Sequence, residues 1–401
     1  MSTSKSTYNL LNIFDEYYER LLQGSFEITD VETRLINLDK GKSMYTHKPD
    51  LVMAGNMGGT GNFYISEHSS ITSTREVAYY LNEIPCFDRI QVGHNFAFDM
   101  LYLSKAEVDS PGFMIWDTMI AEYLLSNQSV RMPSLDECCE LNGIADRKED
   151  KVAKAMGNGV CPYDMDPNEL RDYLKQDLEI TRKVFLSQLE RFYKQPKKWQ
   201  NMFINQMMYR VNTFRAMANG MYVNDVLGSV RRVDLTVELG ERGSDLKRRM
   251  KILSMDDDHK VDWNPSSVQH VQAVLYGGEV PYETEEVIGT YKTGKRAGQP
   301  KTKKVKSIFR VPPSRWTKYG PGTDEKTLKE ISSVATGKAT GQFAQDLLEY
   351  RDLSKTLNTY YIGYLAFAEA DGYIHPQYNH ALTPTGRLTC SKPNLQNIKG
   401  D

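Results

Sequence analysis

The period of the hydrophobic pattern changes partway along this chain, and that change limits its fold more than any other feature. Up to about residue 190, short apolar runs alternate with segments of helical spacing. Beyond Lys197 the strand signals largely vanish, and NMFINQMMYRVNTFRAMANG and SVRRVDLTVELGERGSDLKRRMKILS each keep helical spacing for many turns. Alternation builds strand and helix layers, whereas sustained helical spacing packs helix on helix. The expectation is therefore an α/β domain over residues 1–190, then a mainly helical domain. A length of 401 residues leaves room for about two to three domains.

Within the first part, residues 8–23 have the spacing of an amphipathic helix. FEITDVETRLINLD, DLVMAGNM and NFYIS then read as successive strands divided by turn residues. Arg75–Leu81 and Ala97–Ser104 read as helices on either side of the short strand IQV. GNMGGTGN, residues 55–62, lacks the Lys-Ser/Thr ending of a phosphate loop and reads as a hairpin turn. A last helical pattern runs from Gln342 to Ala370, and residues 279–323 form an insertion rich in Lys, Gly, Pro and Thr.

Composition removes whole classes of answer. Hydrophobic residues at 40% and charged residues at 25% are ordinary globular values. No window approaches the roughly 18 apolar residues of a membrane span, and the N-terminus lacks the apolar core of a secretory signal. No membrane association is expected, and the expected location is the cytoplasm. The five cysteines form no CxxC pair and read as reduced thiols. A net charge of −2 confines any contact with nucleic acid to local patches.

Three short patterns carry chemistry. Asp30 and Glu32 are two apart in the strand-like FEITDVETR, so both carboxylates lie on one face, where they could hold a hard cation. A solvated strand edge is the alternative. Asn95 follows the IQV strand, and Asp99 comes four residues later in the first turns of a helix. The alternative for Asp99 is a carboxylate favoured by the helix dipole. In DPNELRDYLKQDLEITRKVF, Asp166 reads as an N-cap, Pro167 as the first helical residue and Glu169 as the partner in a capping box. Tyr173 and Asp177 then share one face of that helix. Four carboxylates gathered from a strand and two helices, with a phenol beside the last, would suit a two-metal phosphodiester site.

The ordered set resembles the DEDD-type 3′ to 5′ exonucleases of the tyrosine subclass, whose motifs are DxE, NxxxD and YxxxD. They stand here as Asp30-Val-Glu32, Asn95-Phe-Ala-Phe-Asp99 and Tyr173-Leu-Lys-Gln-Asp177. The likeness covers roughly residues 20–190 and includes WDTMIAEYLL, the helix that the family places between its second and third motifs. It implies a ribonuclease H-like mixed sheet flanked by helices. It further implies that Asp30, Glu32, Asp99 and Asp177 ligate two Mg²⁺ or Mn²⁺ ions, while Tyr173 positions the attacking water.

The C-terminal stretch DGYIHPQYNHALTPTGRLTCSKPNLQNIKG closely resembles the segment leading into the palm of family A DNA polymerases, through Thr385-Gly-Arg387-Leu and Pro393-Asn-Leu-Gln-Asn-Ile398. NGMYVN, ending at Asn224, and WNPSSV, from Trp263 to Val268, look like further landmarks of the same family, as does LLEYRDLSKTLNTYY. The likeness implies a thumb over residues 191–370 and the first strands of a palm over 371–401, truncated before the catalytic palm and fingers motifs. By these resemblances Asn95, Arg387, Asn394 and Gln396 contact DNA. Arg231, Arg232, Lys247, Arg248, Arg249 and Lys251 are candidate backbone contacts of the thumb, with a solvated helix face as the alternative.

No acidic residue occurs between Gly289 and Thr323, where cations accumulate. YKTG and KTKKVKSIF read as the arms of a basic hairpin that binds phosphates, with Lys292, Arg296, Lys303 and Lys304 as its contacts. Recruitment of a partner protein such as a processivity factor, and mere solubility, are the alternatives. The chain is thus expected to be the N-terminal part of a phage-type family A DNA polymerase acting in replication. It would proofread as a 3′ to 5′ exonuclease but not polymerise alone. Expected partners are single-stranded and primer-template DNA and a second polypeptide carrying the fingers and remaining palm. The alternatives are a non-catalytic DNA-binding clamp subunit and an RNA-processing DEDD exonuclease.

Overall fold

The computed structural model describes residues 10–33, 51–58, 63–67, 89–105, 114–144, 151–290, 292, 298–313, 322–368 and 372–398. They form two compact units, Met1–Val223 with Ala366–Asp401, and Asn224–Leu365. The expected helix over Arg75–Leu81 and the end of the Gly-rich stretch, residues 59–62, lie outside the described residues.

The first unit opens with helix α1 (Leu10–Leu22) and strands β1 (Phe26–Thr33), β2 (Leu51–Gly58), β3 (Phe63–Glu67) and β4 (Ile90–Gly93). Helix α2 (Ala97–Lys105), strand β5 (Ile115–Asp117) and helix α3 (Thr118–Leu125) follow. The five strands make one mixed sheet in the order β3-β2-β1-β4-β5. β1 runs antiparallel to β2 and parallel to β4, so the strand carrying Asp30 and Glu32 is central. Gly55–Gly58, expected within a turn, are the end of β2 and pair with β1 as far as Gly58 and with β3 as far as Met57.

Helices α4 (Leu135–Leu141), α5 (Lys151–Gly157), α6 (Pro167–Tyr193) and α7 (Lys197–Asn219) precede the short strand β6 (Met221–Tyr222). The Asp166 carboxylate caps α6, accepting from the backbone of Asn168 at 2.8 Å and Glu169 at 3.2 Å. The return bond expected from the Glu169 side chain is not made. A closed capping box forms instead at α4, where Ser134 and Glu137 exchange bonds.

The expected boundary near residue 190 falls instead after Val223. The reason is the apolar face of α7: Phe203, Ile204, Met207, Val211, Phe214 and Met217 are buried in the same core as Trp116. The Trp116 ring meets Phe185, Phe192 and Phe203 with centroids 5.1, 5.4 and 4.6 Å away, and its Nε1 donates to Gln188 Oε1 at 3.1 Å. The sheet thus reaches across the anticipated boundary to recruit a helix whose periodicity alone looks like the start of a separate bundle.

The second unit begins with α8 (Asp225–Ser254) and α9 (Val268–Tyr276), continues through β7 (Gly278–Thr290) and β8 (Pro300–Val311), and ends with α10 (Glu325–Val334) and α11 (Ala339–Lys355). The pattern over Gln342–Ala370 resolves into α11, a π-helical segment Thr356–Tyr364 and a short 3₁₀ turn. The core gathers Trp263, Phe343, Leu246, Met250 and Leu347. Buried Trp263, from the WNPSS motif, donates to Asp256 Oδ2 at 3.0 Å.

The hairpin of this unit differs from its expected form. Its first arm is Gly278–Thr290, which carries Glu279, Glu283, Glu285 and Glu286, not the YKTG segment that follows. Within YKTG only Lys292 is described, and it is exposed.

The chain then returns to the first unit as β9 (Tyr373–Ile374), β10 (Gln377–Asn379) and β11 (Thr389–Ser391). β9 pairs with β6, and β10 with β11. Tyr123 of α3 donates to the Thr383 carbonyl at 2.6 Å, and the backbone of Met132 donates to that of Ala381 at 2.9 Å. These bonds tie the described residues of the segment 371–401, expected as the start of a palm, to the first unit. Among the described residues no helix is long and apolar enough to cross a membrane.

Two substitutions gauge these contributions. Trp116→Ala should cost about 3–5 kcal/mol, because it empties a packed aromatic site. Asp166→Ala should cost about 1 kcal/mol, the usual value of an N-cap. Urea unfolding followed by circular dichroism of the backbone checks that ordering.

Candidate metal centre and nucleic-acid contacts

The alternation of β1 puts Asp30 and Glu32 on one face. Opposite Asp30 in the register stands Gly55 of β2. A Cβ there would lie 2.7 Å from Leu178 Cδ1 and 3.1 Å from Leu174 Cδ2, so the bare backbone is what lets α6 lie close to the sheet. Leu174 and Leu178 flank Asp177 on the packed side of α6, and their burial fixes the height at which Asp177 approaches. One carboxylate oxygen from each of Asp30, Glu32 and Asp177 lies within 4.8 Å of the others.

Asp99 reaches the same neighbourhood from α2. It is buried, and its Oδ1 accepts from the Val31 backbone at 3.1 Å, between Asp30 and Glu32. Burial and then the adjoining Asp30 charge hold the Asp99 carboxyl well above the usual carboxylate range. Tyr173 is half-buried one turn before Asp177 on α6. The structure thus brings together all four carboxylates by contact or proximity, with the phenol on the adjoining helix turn. A crowded, all-oxygen set of like charges fits a hard divalent cation.

The nucleic-acid candidates divide differently. Asn95 is exposed, but its Oδ1 accepts from Arg210 Nη2 at 3.1 Å. Its carbonyl end is therefore committed to the fold. Arg387 is exposed on the Thr-Gly-Arg turn, where its backbone carbonyl accepts from Thr383 Oγ1 at 2.9 Å. Asn394 Oδ1 caps the next turn by accepting from the Gln396 backbone at 3.1 Å, while the Gln396 side chain is exposed.

Arg296 lies outside the described residues. Lys303 and Lys304 are exposed on β8, but the register sets them opposite Glu286 and Glu285, and Lys304 Nζ reaches Glu283 at 3.3 Å. Arg310 likewise pairs with Glu279 at 3.0 Å. The stem offsets most of its own charge, which the acid-free run from Gly289 to Thr323 concealed. On α8, Lys247 pairs with Asp262, and Arg248 and Arg249 with Asp245, whereas Arg231 and Arg232 are exposed.

Two residues escaped the motif reading. Asp117 precedes an apolar helical run and carries the ordinary N-cap signal. Arg210 is a lone cation three residues after Met207 and four before Phe214, on an otherwise apolar helix face. Their geometry joins the start of α2 to the rest of the unit.

Two outcomes follow from the electrostatics. A carboxyl raised by folding favours the folded state most below its unfolded pKa, and that stabilisation is lost as pH rises through the folded value. In EDTA the thermal midpoint should therefore fall as pH rises above the ordinary carboxylate range, and Asp99→Asn should flatten this fall. Scanning calorimetry of both proteins over pH checks it. If the hairpin binds DNA, Lys292→Ala should reduce the slope of log affinity against log salt by about 0.9, the loss of one phosphate contact. Lys304→Ala should change it less, since that ammonium already has a carboxylate.

The family model described as DNA polymerase family A matches residues 301–400. DNA polymerase I of Mycobacterium tuberculosis is 29% identical over 169 residues, 42% of this chain and 18% of that protein. DNA polymerase I of Streptococcus pneumoniae is 39% identical over 82 residues, 20% of this chain and 9% of its own length. The matched stretches span less than a fifth of these relatives. Among solved structures, the POL domain of Pol1 from M. smegmatis, in complex with DNA primer-template and dNTP, superposes with a TM-score of 0.55 at 19% identity. That match covers 97% of this chain and 55% of the other, and at such identity it is a likeness of fold. Residues 301–400 are thus similar in sequence to the family A DNA polymerases, and nearly the whole chain is similar in fold to a polymerase domain.

Proposed function

We propose that this chain is a metal-dependent 3′ to 5′ exodeoxyribonuclease and the N-terminal part of a family A DNA polymerase, its second unit serving as the thumb. The observation that carries the reading is the convergence of Asp30, Glu32 and Asp177 within 4.8 Å, with Asp99 held against the same strand. A DNA-binding clamp has no need for carboxylates that repel one another beneath a desolvating helix. The match of residues 301–400 to the polymerase family weighs against an RNA-processing nuclease.

In this reading Asp30, Glu32, Asp99 and Asp177 hold Mg²⁺ or Mn²⁺, and their oxygens set where the terminal phosphate can lie. Two such ions, when bound, acidify the attacking water and steady the departing 3′ oxygen. Tyr173 orients that water through its hydroxyl. The water oxygen bonds to phosphorus, the bond to the 3′ oxygen of the preceding nucleotide breaks, and a nucleoside 5′-monophosphate leaves. Arg387 and Gln396, both exposed, are left available for primer-template contacts, and Arg231 and Arg232 for backbone contacts of the thumb.

Digestion of 5′-labelled single-stranded DNA tests this reading. With Mg²⁺ or Mn²⁺ the products should shorten from the 3′ end. EDTA should abolish the ladder, and Asp30→Ala/Glu32→Ala should slow it by more than the roughly 100-fold that loss of a supporting group around a metal can cause. An intact substrate under either metal would refute the exonuclease assignment.

A further inference from the structure

We infer that the buried Arg210–Asp117 ion pair is a clamp that sets Asp99 into the carboxylate cluster. The inference rests on the metal-dependent reading above and adds two positioning residues to it.

Asp117 is wholly buried at the junction of β5 and α3. Its Oδ1 accepts from the backbones of Met119 and Asn95, each at 3.1 Å, and its Oδ2 accepts from the backbone of Phe96 at 3.1 Å. One carboxylate therefore caps α3 and also holds the two N–H groups that lead into α2. Asn95 has a left-handed backbone, φ 52°, which few side chains other than Asn tolerate. From Asn95 the chain turns directly into α2, and Asp99 stands one helical turn further on. Rotating the start of α2 by even a fraction of a turn would carry Asp99 away from the Val31 backbone that it accepts from.

Arg210 closes the clamp from α7. Its Nε stands 3.4 Å from Asp117 Oδ2, its Nη2 donates to Asn95 Oδ1 at 3.1 Å, and its Nη1 donates to the Tyr378 carbonyl at 3.2 Å. A buried ion pair used only for stability is often replaceable by apolar side chains without loss. Here one guanidinium donates to Asn95 and to the Tyr378 carbonyl while lying beside the Asp117 carboxylate, and so bridges three separate segments, a task that neither an apolar side chain nor a lysine ammonium performs. The nearby His380 does not share the role: burial, then the Arg210 charge, hold it down at about 3 and hence neutral. Arg210 is the cation that answers Asp117.

The test uses the full chain and reads Mn²⁺ binding by electron paramagnetic resonance, alongside kcat and KM for 5′-labelled single-stranded DNA. Arg210→Lys and Asp117→Asn should weaken Mn²⁺ binding and lower kcat by roughly 10–100-fold, the usual cost of losing a group that orients a metal ligand, with KM nearly unchanged. The control is Arg191→Met, which removes the cation, 2.8 Å away, from another buried carboxylate of the same unit, Glu122. It should lose stability but keep wild-type Mn²⁺ affinity. Arg210→Lys retains the charge and carries the test should Asp117→Asn not fold. Wild-type Mn²⁺ affinity in folded Arg210→Lys would overturn the clamp while leaving the nuclease reading intact. A wild-type chain that binds no Mn²⁺ would instead overturn the metal reading and the clamp with it.

Discussion

Carboxylates crowded beneath a packed helix repel one another, and the first unit is arranged around keeping them there. Two like charges about 5 Å apart cost roughly 3 kcal/mol at an effective dielectric near 20. Asp30, Glu32 and Asp177 come within that range, and burial, then the Asp30 charge, hold the Asp99 carboxyl above the usual carboxylate range. Something must hold these groups against their repulsion. The central position of β1 holds the first two, and the closeness of α6 to the sheet over Gly55 holds Asp177. The leucines on either side of Asp177 supply the apolar burial that offsets the electrostatic cost.

The helix that carries the first unit past its expected boundary also reaches the carboxylate-bearing elements. α7 fills the core under Trp116 with one stripe of apolar residues, and from that stripe Arg210 reaches the junction of β5, α2 and α3. The returning segment adds its own bonds to α3 and, through the Tyr378 carbonyl, to Arg210. Elements far apart in sequence are thereby tied to the short loop that aims α2.

Charge in the second unit follows a different rule. β7 and β8 place glutamates across from lysines and an arginine, so the stem satisfies most of its own electrostatics. Exposed pairs of this kind add little to stability. Their effect is to shift the available positive charge away from the stem. Lysines that look interchangeable along KTKKVKSIF therefore differ in the structure, because each faces its own cross-strand neighbour.

The alternating strand pattern placed Asp30 and Glu32 on one face, and the capping signals at Asp166 and Pro167 located the helix that carries Tyr173 and Asp177. These features are local, set by backbone periodicity and by bonds between near neighbours in the chain, so the sequence alone determined them. Gly55 looked like turn chemistry because its reason for being glycine is the distant pair Leu174 and Leu178. No local pattern marked Arg210, because its three partners come from three other segments, and α7 looked like the start of a second domain because periodicity states which face is apolar, not what covers it. Tertiary structure decided these points, since steric closeness, buried charge pairing and the choice of core all depend on residues that are distant in the chain and adjacent in space.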